Sequence, residues 1–98
     1  MSELFQEYVG LNPKDGKVAA VQLQEGCVRQ LSQITGGTAV SKTVRGGSVV
    51  LSEILLNGER VKIGDYIIAG PYNRFTSLTK GFFESRYKLR GPLKDVVR

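Results

Sequence analysis

Apolar and polar positions change period several times along the chain, and each change predicts an element. In residues 17–23, Val18 and Ala20 fall on one side of an extended chain and Ala19, Val21 and Leu23 on the other. That pattern predicts a strand buried on both faces. The period then lengthens. Cys27, Val28, Leu31 and Ile34 recur at helical spacing, so residues 25–35 read as an amphipathic helix stopped by Gly36-Gly37. Residues 38–44 are rich in Thr and Val and read as a strand. Arg45-Gly46-Gly47-Ser48 breaks that strand, and residues 48–56 form a longer one, bulged near Ser52-Glu53. Asn57-Gly58 predicts a type I′ hairpin turn, because both central residues of that turn need a positive φ. Residues 59–63 return as a half-buried strand, with Val61 and Ile63 alternating against Arg60 and Lys62.

Gly64-Asp65 interrupts this alternation. The glycine permits a sharp bend, and the aspartate can accept bonds from nearby backbone N–H groups. Tyr66-Ile67-Ile68-Ala69 continues as a strand, residues 70–73 as a turn and residues 74–77 as a short strand. Thr79 is the expected cap of a last helix over residues 80–87, with Phe83 and Tyr87 one turn apart. At the start, Ser2 would cap a short helix carrying Leu4, Phe5 and Tyr8 on one face. Asn12-Pro13-Lys14-Asp15-Gly16 is turn chemistry. The expected organisation is an arm (1–16) dispensable for folding, a core (17–88) and a basic tail (89–98). The expected class is α+β: a small antiparallel sheet of five to six short strands, one helix after the first strand and one at the C-terminal end.

Composition narrows the chemistry. A hydrophobic content of 41% over 98 residues supports one packed domain. No histidine is present, which removes the commonest general base and metal ligand near neutral pH. The single cysteine, Cys27, allows neither an intrachain disulfide nor a cysteine-rich zinc site, and reads as a buried apolar side chain. No Ser-His or Cys-His pair, close carboxylate pair or metal-ligand cluster is evident, so the expectation is a protein that is not an enzyme, with no cofactor and no metal. The first ten residues lack a basic start and a long apolar run, and no run approaches a membrane span of roughly 20 residues. A cytoplasmic protein is expected.

Charge is unevenly spread. Residues 1–72 balance seven basic side chains against seven acidic ones. Residues 73–98 hold Arg74, Lys80, Arg86, Lys88, Arg90, Lys94 and Arg98 against Glu84 and Asp95, which accounts for the whole net charge of +5. Such asymmetry points to an anionic partner or to a solvated tail.

The segment VKIGDYIIAGPYNRFTSLTKGFFESRY (residues 61–87) resembles the PGDYG-type small proteins of bacteriophages and prophages. Gly64, Asp65, Tyr66, Ile67, Ile68 and Gly70 match that family's first motif, and Phe83, Glu84 and Tyr87 its second. Residues 17–23 resemble its first strand, so the likeness spans residues 17–88. Ile63 stands where the family has proline, and residues 71–78 replace its usual turn. The resemblance implies phage origin and action in the cytoplasm of an infected bacterial host. It implies no particular activity.

Candidate binding residues follow from chemistry. Arg45-Gly46-Gly47-Ser48 joins a bidentate arginine fork to exposed backbone donors. Tyr72 and Arg74 sit at a predicted turn tip, and Arg86, Lys88 and Arg90 interleave with the aromatics Phe82, Phe83 and Tyr87, a mixture able to stack bases and hold phosphates. The three groups are expected to form one basic functional surface, and each also has a plainer reading, as turn chemistry or a solvated face. Two function classes remain. One is a phage accessory protein that counters host defence, or redirects host machinery, by binding a nucleotide signal or a host protein. The other is a nucleic-acid-binding or virion-associated structural module. Exposed sheet edges and the long apolar strand around Val49 further predict a homodimer or higher homo-oligomer.

Overall fold

A computed structural model describes residues 4–92. The chain is α+β, with two helices and eight strands among the described residues. In order they are β1 (Gln6–Gly10), β2 (Lys17–Gln22), α1 (Val28–Thr35), β3 (Thr38–Thr43), β4 (Val49–Leu56), β5 (Glu59–Lys62), β6 (Tyr66–Ala69), β7 (Phe75–Leu78), α2 (Lys80–Arg86) and β8 (Tyr87–Pro92). The strands form two antiparallel sheets: five in the order β7-β6-β2-β1-β8, and three in the order β3-β4-β5. Both helices occupy the expected places, although residues 25–27 form a separate tight turn ahead of α1.

The five-stranded sheet is covered on both faces, which explains the two-sided apolar pattern of β2. On one face Val21, Leu23 and Ile67 meet Ile54, Leu56 and Val61 of the smaller sheet and Val28 and Leu31 of α1. On the other, Tyr8, Ala20 and Tyr66 surround Phe83 of α2. The Tyr66 and Phe83 rings stack 4.0 Å apart, and Tyr8 meets Phe83 edge-on at 5.0 Å. Full burial of side chains this large contributes roughly 1.5–3 kcal/mol each, so the aromatic cluster is what fastens α2.

The expected arm is part of this core. Residues 6–10 are a strand, not a helix, and β1 pairs with β2 on one side and β8 on the other. Phe5 and Tyr8 are both buried, but in opposite cores, so they do not share a face. Local helical spacing gives way here to hydrogen bonds from two flanking strands, the next one along the chain and the remote β8. The proposed cap, Ser2, lies outside the described residues. Residues 89–92 of the expected tail belong to β8, and residues 93–98 lie outside the described region. The second helix ends at Arg86, where Tyr87 turns extended and opens β8. These two extra strands, together with the separation of β3, β4 and β5 into their own sheet, turn the expected single sheet into two.

Turn chemistry behaves as the sequence predicts. Asn57 and Gly58 have φ of 54° and 81°, a two-residue turn joining Leu56 to Glu59. Gly36 closes α1 at φ 79°, its N–H donating to the Ser32 carbonyl. The register of β3 against β4 shifts around Ser52, so Ser41 opposes Leu51 while Val40 opposes Glu53. Leu51 and Ile54 thereby reach the same core, which a regular strand with side chains alternating every second residue forbids.

Candidate functional site

The Gly64-Asp65 bend links the two sheets. Asp65 N–H donates to Lys62 O at 2.9 Å, and Gly64 has φ 101°, so residues 62–65 form a turn with glycine at its third position. The bend is fastened to the end of β2. Gly64 N–H donates to Leu23 O, Leu23 N–H to Asp65 O (each 2.8 Å), and Gln22 Nε2 to Gly64 O at 3.1 Å. The Asp65 carboxylate accepts from Lys62 N–H at 3.1 Å and from Lys80 N–H at 3.3 Å. Asp65 therefore organises backbone, and it supplies the side-chain cap of α2. Thr79 holds the cap position but makes no capping bond.

Behind the bend, Tyr66 Oη donates to Glu84 Oε2 at 2.7 Å and Lys80 Nζ to Glu84 Oε1 at 2.9 Å. The Tyr66 bond, then the Lys80 bond and charge, hold the Glu84 carboxyl below the usual glutamate range. Burial first, and the Glu84 bond second, push the Tyr66 phenol well above its ordinary value. Burial, aided by the Glu84 charge, raises Tyr8 in the same direction. Only the Lys80–Glu84 spacing, four residues on one helix face, is visible in sequence. The tyrosine partner comes from β6, 18 residues earlier, and carries no local signal.

The predicted binding residues fall in three places. Arg45-Gly46-Gly47-Ser48 form the tip of the β3–β4 hairpin, with Gly46 and Gly47 at φ 94° and 88°. Tyr72 and Arg74 lie on the β6–β7 turn, closed by Gly70 N–H to Arg74 O at 2.7 Å. Arg86 ends α2, while Lys88 and Arg90 lie on β8. The β6–β7 turn neighbours the opposite end of β4 from the hairpin tip, because Asn57 Nδ2 donates to Phe75 O at 2.9 Å. At about 3.3 Å per residue, β4 separates the two by roughly 23 Å. With β7 and β8 on opposite edges of the large sheet, four strand spacings, roughly 19 Å, lie between Arg74 and the β8 cations.

The cations also differ in their partners. Arg86 lies 3.7 Å from Asp15 and over the Phe82 ring at 5.2 Å. Arg90 and Lys17 share Glu7, at 3.7 and 3.8 Å. Arg45, Arg74 and Lys88 are exposed and meet no carboxylate among the described residues. Arg74 further lines an open cleft of about 410 Å³ with Thr35, Leu56, Asn57, Phe75 and Thr76. Two residues before Arg74, Tyr72 is 91% exposed and adopts φ 58° and ψ 36°, a left-handed conformation uncommon for a bulky residue.

A second cleft of about 390 Å³ opens where β1 begins and β2 ends, lined by Gln6, Tyr8, Gln22, Gln24 and Cys27 among others. There the Cys27 thiol is half-buried, accepts from Gln24 N–H and donates to Gln24 O, both at 3.4 Å. Among the described residues no three His, Cys, Asp or Glu side chains gather as a metal site, and no helix is long and apolar enough to cross a membrane. The chain matches no family model, no curated protein and no solved structure.

Proposed function

We propose that this chain is a binding protein without catalytic chemistry, a phage-type accessory protein of the infected bacterial cytoplasm. Its partner is an anionic molecule of nucleotide size, and sequestering such a signal would counter a host defence. The observation that carries this reading is Arg74: an arginine free of acidic partners among the described residues, lining an open cleft of about 410 Å³ two residues along the chain from an exposed tyrosine. The volume lies within the range of small-ligand sites. The arginine fork suits phosphate, Asn57, Thr35 and Thr76 offer polar contacts, and Tyr72 offers a face for a base. The likeness of residues 17–88 to the PGDYG-type proteins supports the phage setting. The reading includes a homodimer as the working form.

The test is a calorimetric titration of the whole chain with mononucleotides, cyclic dinucleotides and a single-stranded oligonucleotide. A nucleotide should bind with fixed stoichiometry and shallow salt dependence. Arg74→Ala should weaken it about 10- to 150-fold, the scale of one lost charged hydrogen bond. Arg45→Ala, at the far end of β4, should bind as the parent does. Binding of the oligonucleotide alone, with a log–log salt slope near −0.7 per phosphate, would identify a nucleic-acid module instead. Equal binding by parent and Arg74→Ala would remove the cleft from consideration.

A further inference from the structure

The projecting half of the β3–β4 hairpin is a sheet with one strand missing. β5 pairs only with Glu53, Ile54, Leu55 and Leu56, so the outer side of β4 meets no strand at residues 49–51 among the described residues. The described molecule measures 49 × 26 × 23 Å with a radius of gyration of 14.2 Å, against about 12–13 Å for a compact chain of this length. A two-stranded ribbon is at best marginally stable by itself, and a third strand is the usual remedy.

The hydrogen-bond alternation says which groups are open. Val44 N–H donates to Ser48 O at 2.8 Å, and Lys42 opposes Val50 one period further on. Ser48 and Val50 therefore bond toward β3, and the N–H and C=O groups of Val49 and Leu51 point to the vacant side. Charge then selects the occupant. Exposed strand edges are commonly protected by lysine, arginine or other charges. β3 carries Lys42, β5 carries Arg60 and Lys62, and β8 carries Lys88 and Arg90. Pairing any of these edges with its own copy sets like charges together. The open stretch Val49-Val50-Leu51-Ser52 is uncharged, and Val49 is 66% exposed. Edge strand β7 is also uncharged, but its Phe75 carbonyl already accepts from Asn57 Nδ2, which leaves Val49–Ser52 as the uncharged edge with its backbone groups open.

We infer that two copies join through this edge, antiparallel about a two-fold axis at Val50, making a continuous sheet β3-β4-β4-β3 over residues 49–51, with each β5 on the same side of its own β4 as the partner strand and beyond the paired residues. Val49 of each copy exchanges backbone bonds with Leu51 of the other, and the two Val50 side chains stand directly opposite in a non-hydrogen-bonded pair. The inference rests on the homodimer part of the proposed function and adds its interface.

The experiment is light scattering on the full chain and on Val50 variants, with thermal melts as a folding control. The parent should have the mass of two chains at high concentration. Val50→Lys and Val50→Glu should each halve that mass, because the axis places like charges face to face. An equimolar mixture of the two should recover the dimer as a heterodimer. As a variant that preserves size and polarity, Val50→Cys in a Cys27→Ser background should cross-link to a dimer on mild oxidation. A parent monomeric throughout overturns both the homodimer and its interface. A parent dimer with Val50→Lys also dimeric, or without cross-linking through Val50→Cys, leaves the homodimer standing and overturns this edge.

Discussion

Ile63 occupies the second position of the turn over residues 62–65, with Gly64 at positive φ after it. That position favours a φ near −60°, the value proline imposes. The Ile63 side chain is half exposed and enters neither core. Ile63→Pro should therefore raise stability by about 0.4–1 kcal/mol, by restricting the unfolded chain. Denaturant melts of parent and variant check this, and a loss of stability would show that the turn requires the Ile63 N–H or a different φ. Residue-scale chemistry of this kind is the most legible in sequence. Asn57, Gly36 and Gly64 announce their turns because a positive φ is a local demand that few residue types meet. The partners of Asp65 were legible only as a type, backbone N–H groups. That one of them starts a helix fifteen residues later is a tertiary fact.

At the scale of the element, α2 is held by Phe83 packing, the Asp65 cap and the Tyr66–Glu84–Lys80 bonds. Two of these groups, Glu84 and Tyr66, have pKa values that the fold displaces in opposite directions. Glu84 has a folded pKa below its unfolded value of about 4.3. Its contribution is complete above that unfolded value and is lost as pH falls through the lower folded one. Tyr66 has a folded pKa raised above about 10. Its contribution is complete below pH 10 and is lost as pH rises toward the folded value. Stability should thus decline on both sides of a neutral plateau. Glu84→Gln should flatten the acid limb, and Tyr66→Phe the alkaline limb. Melting temperatures measured across pH are the readout, and limbs of unchanged slope in both variants would place the titrating groups elsewhere. The helix itself was legible from the spacing of Phe83 and Tyr87. β1 was not, because Leu4, Phe5 and Tyr8 fit a helical stripe as well as an extended chain and only the paired strands decide between them.

For the whole molecule, β1 is the strand that makes one body of the large sheet, since it bonds β2 on one side and β8 on the other. Deleting residues 1–14 removes Phe5 from one core and Tyr8 from the other. The cooperative thermal transition should be lost, and a calorimetric melt with its cooperativity intact would show that β2, β6 and β7 suffice. The expected single surface of the three candidate binding groups does not form, because sequence carries no signal for which loops and edges the fold brings together. Strand order, set by pairings across long stretches of chain, decides that Arg74 and Arg90 stand on opposite edges.

The pairing of Gln6 with Pro92 also has a consequence in time. On the ribosome, β1 and β2 emerge first and can close as a hairpin, yet the free side of β1 must wait until almost the last described residue has been made. Contacts so remote in sequence close slowly. The large sheet is therefore finished only once β8 has been made, and a nascent chain stalled before β8 exposes a bare inner strand. Quality control that recognises unfinished proteins would meet this one in its most vulnerable form at that moment.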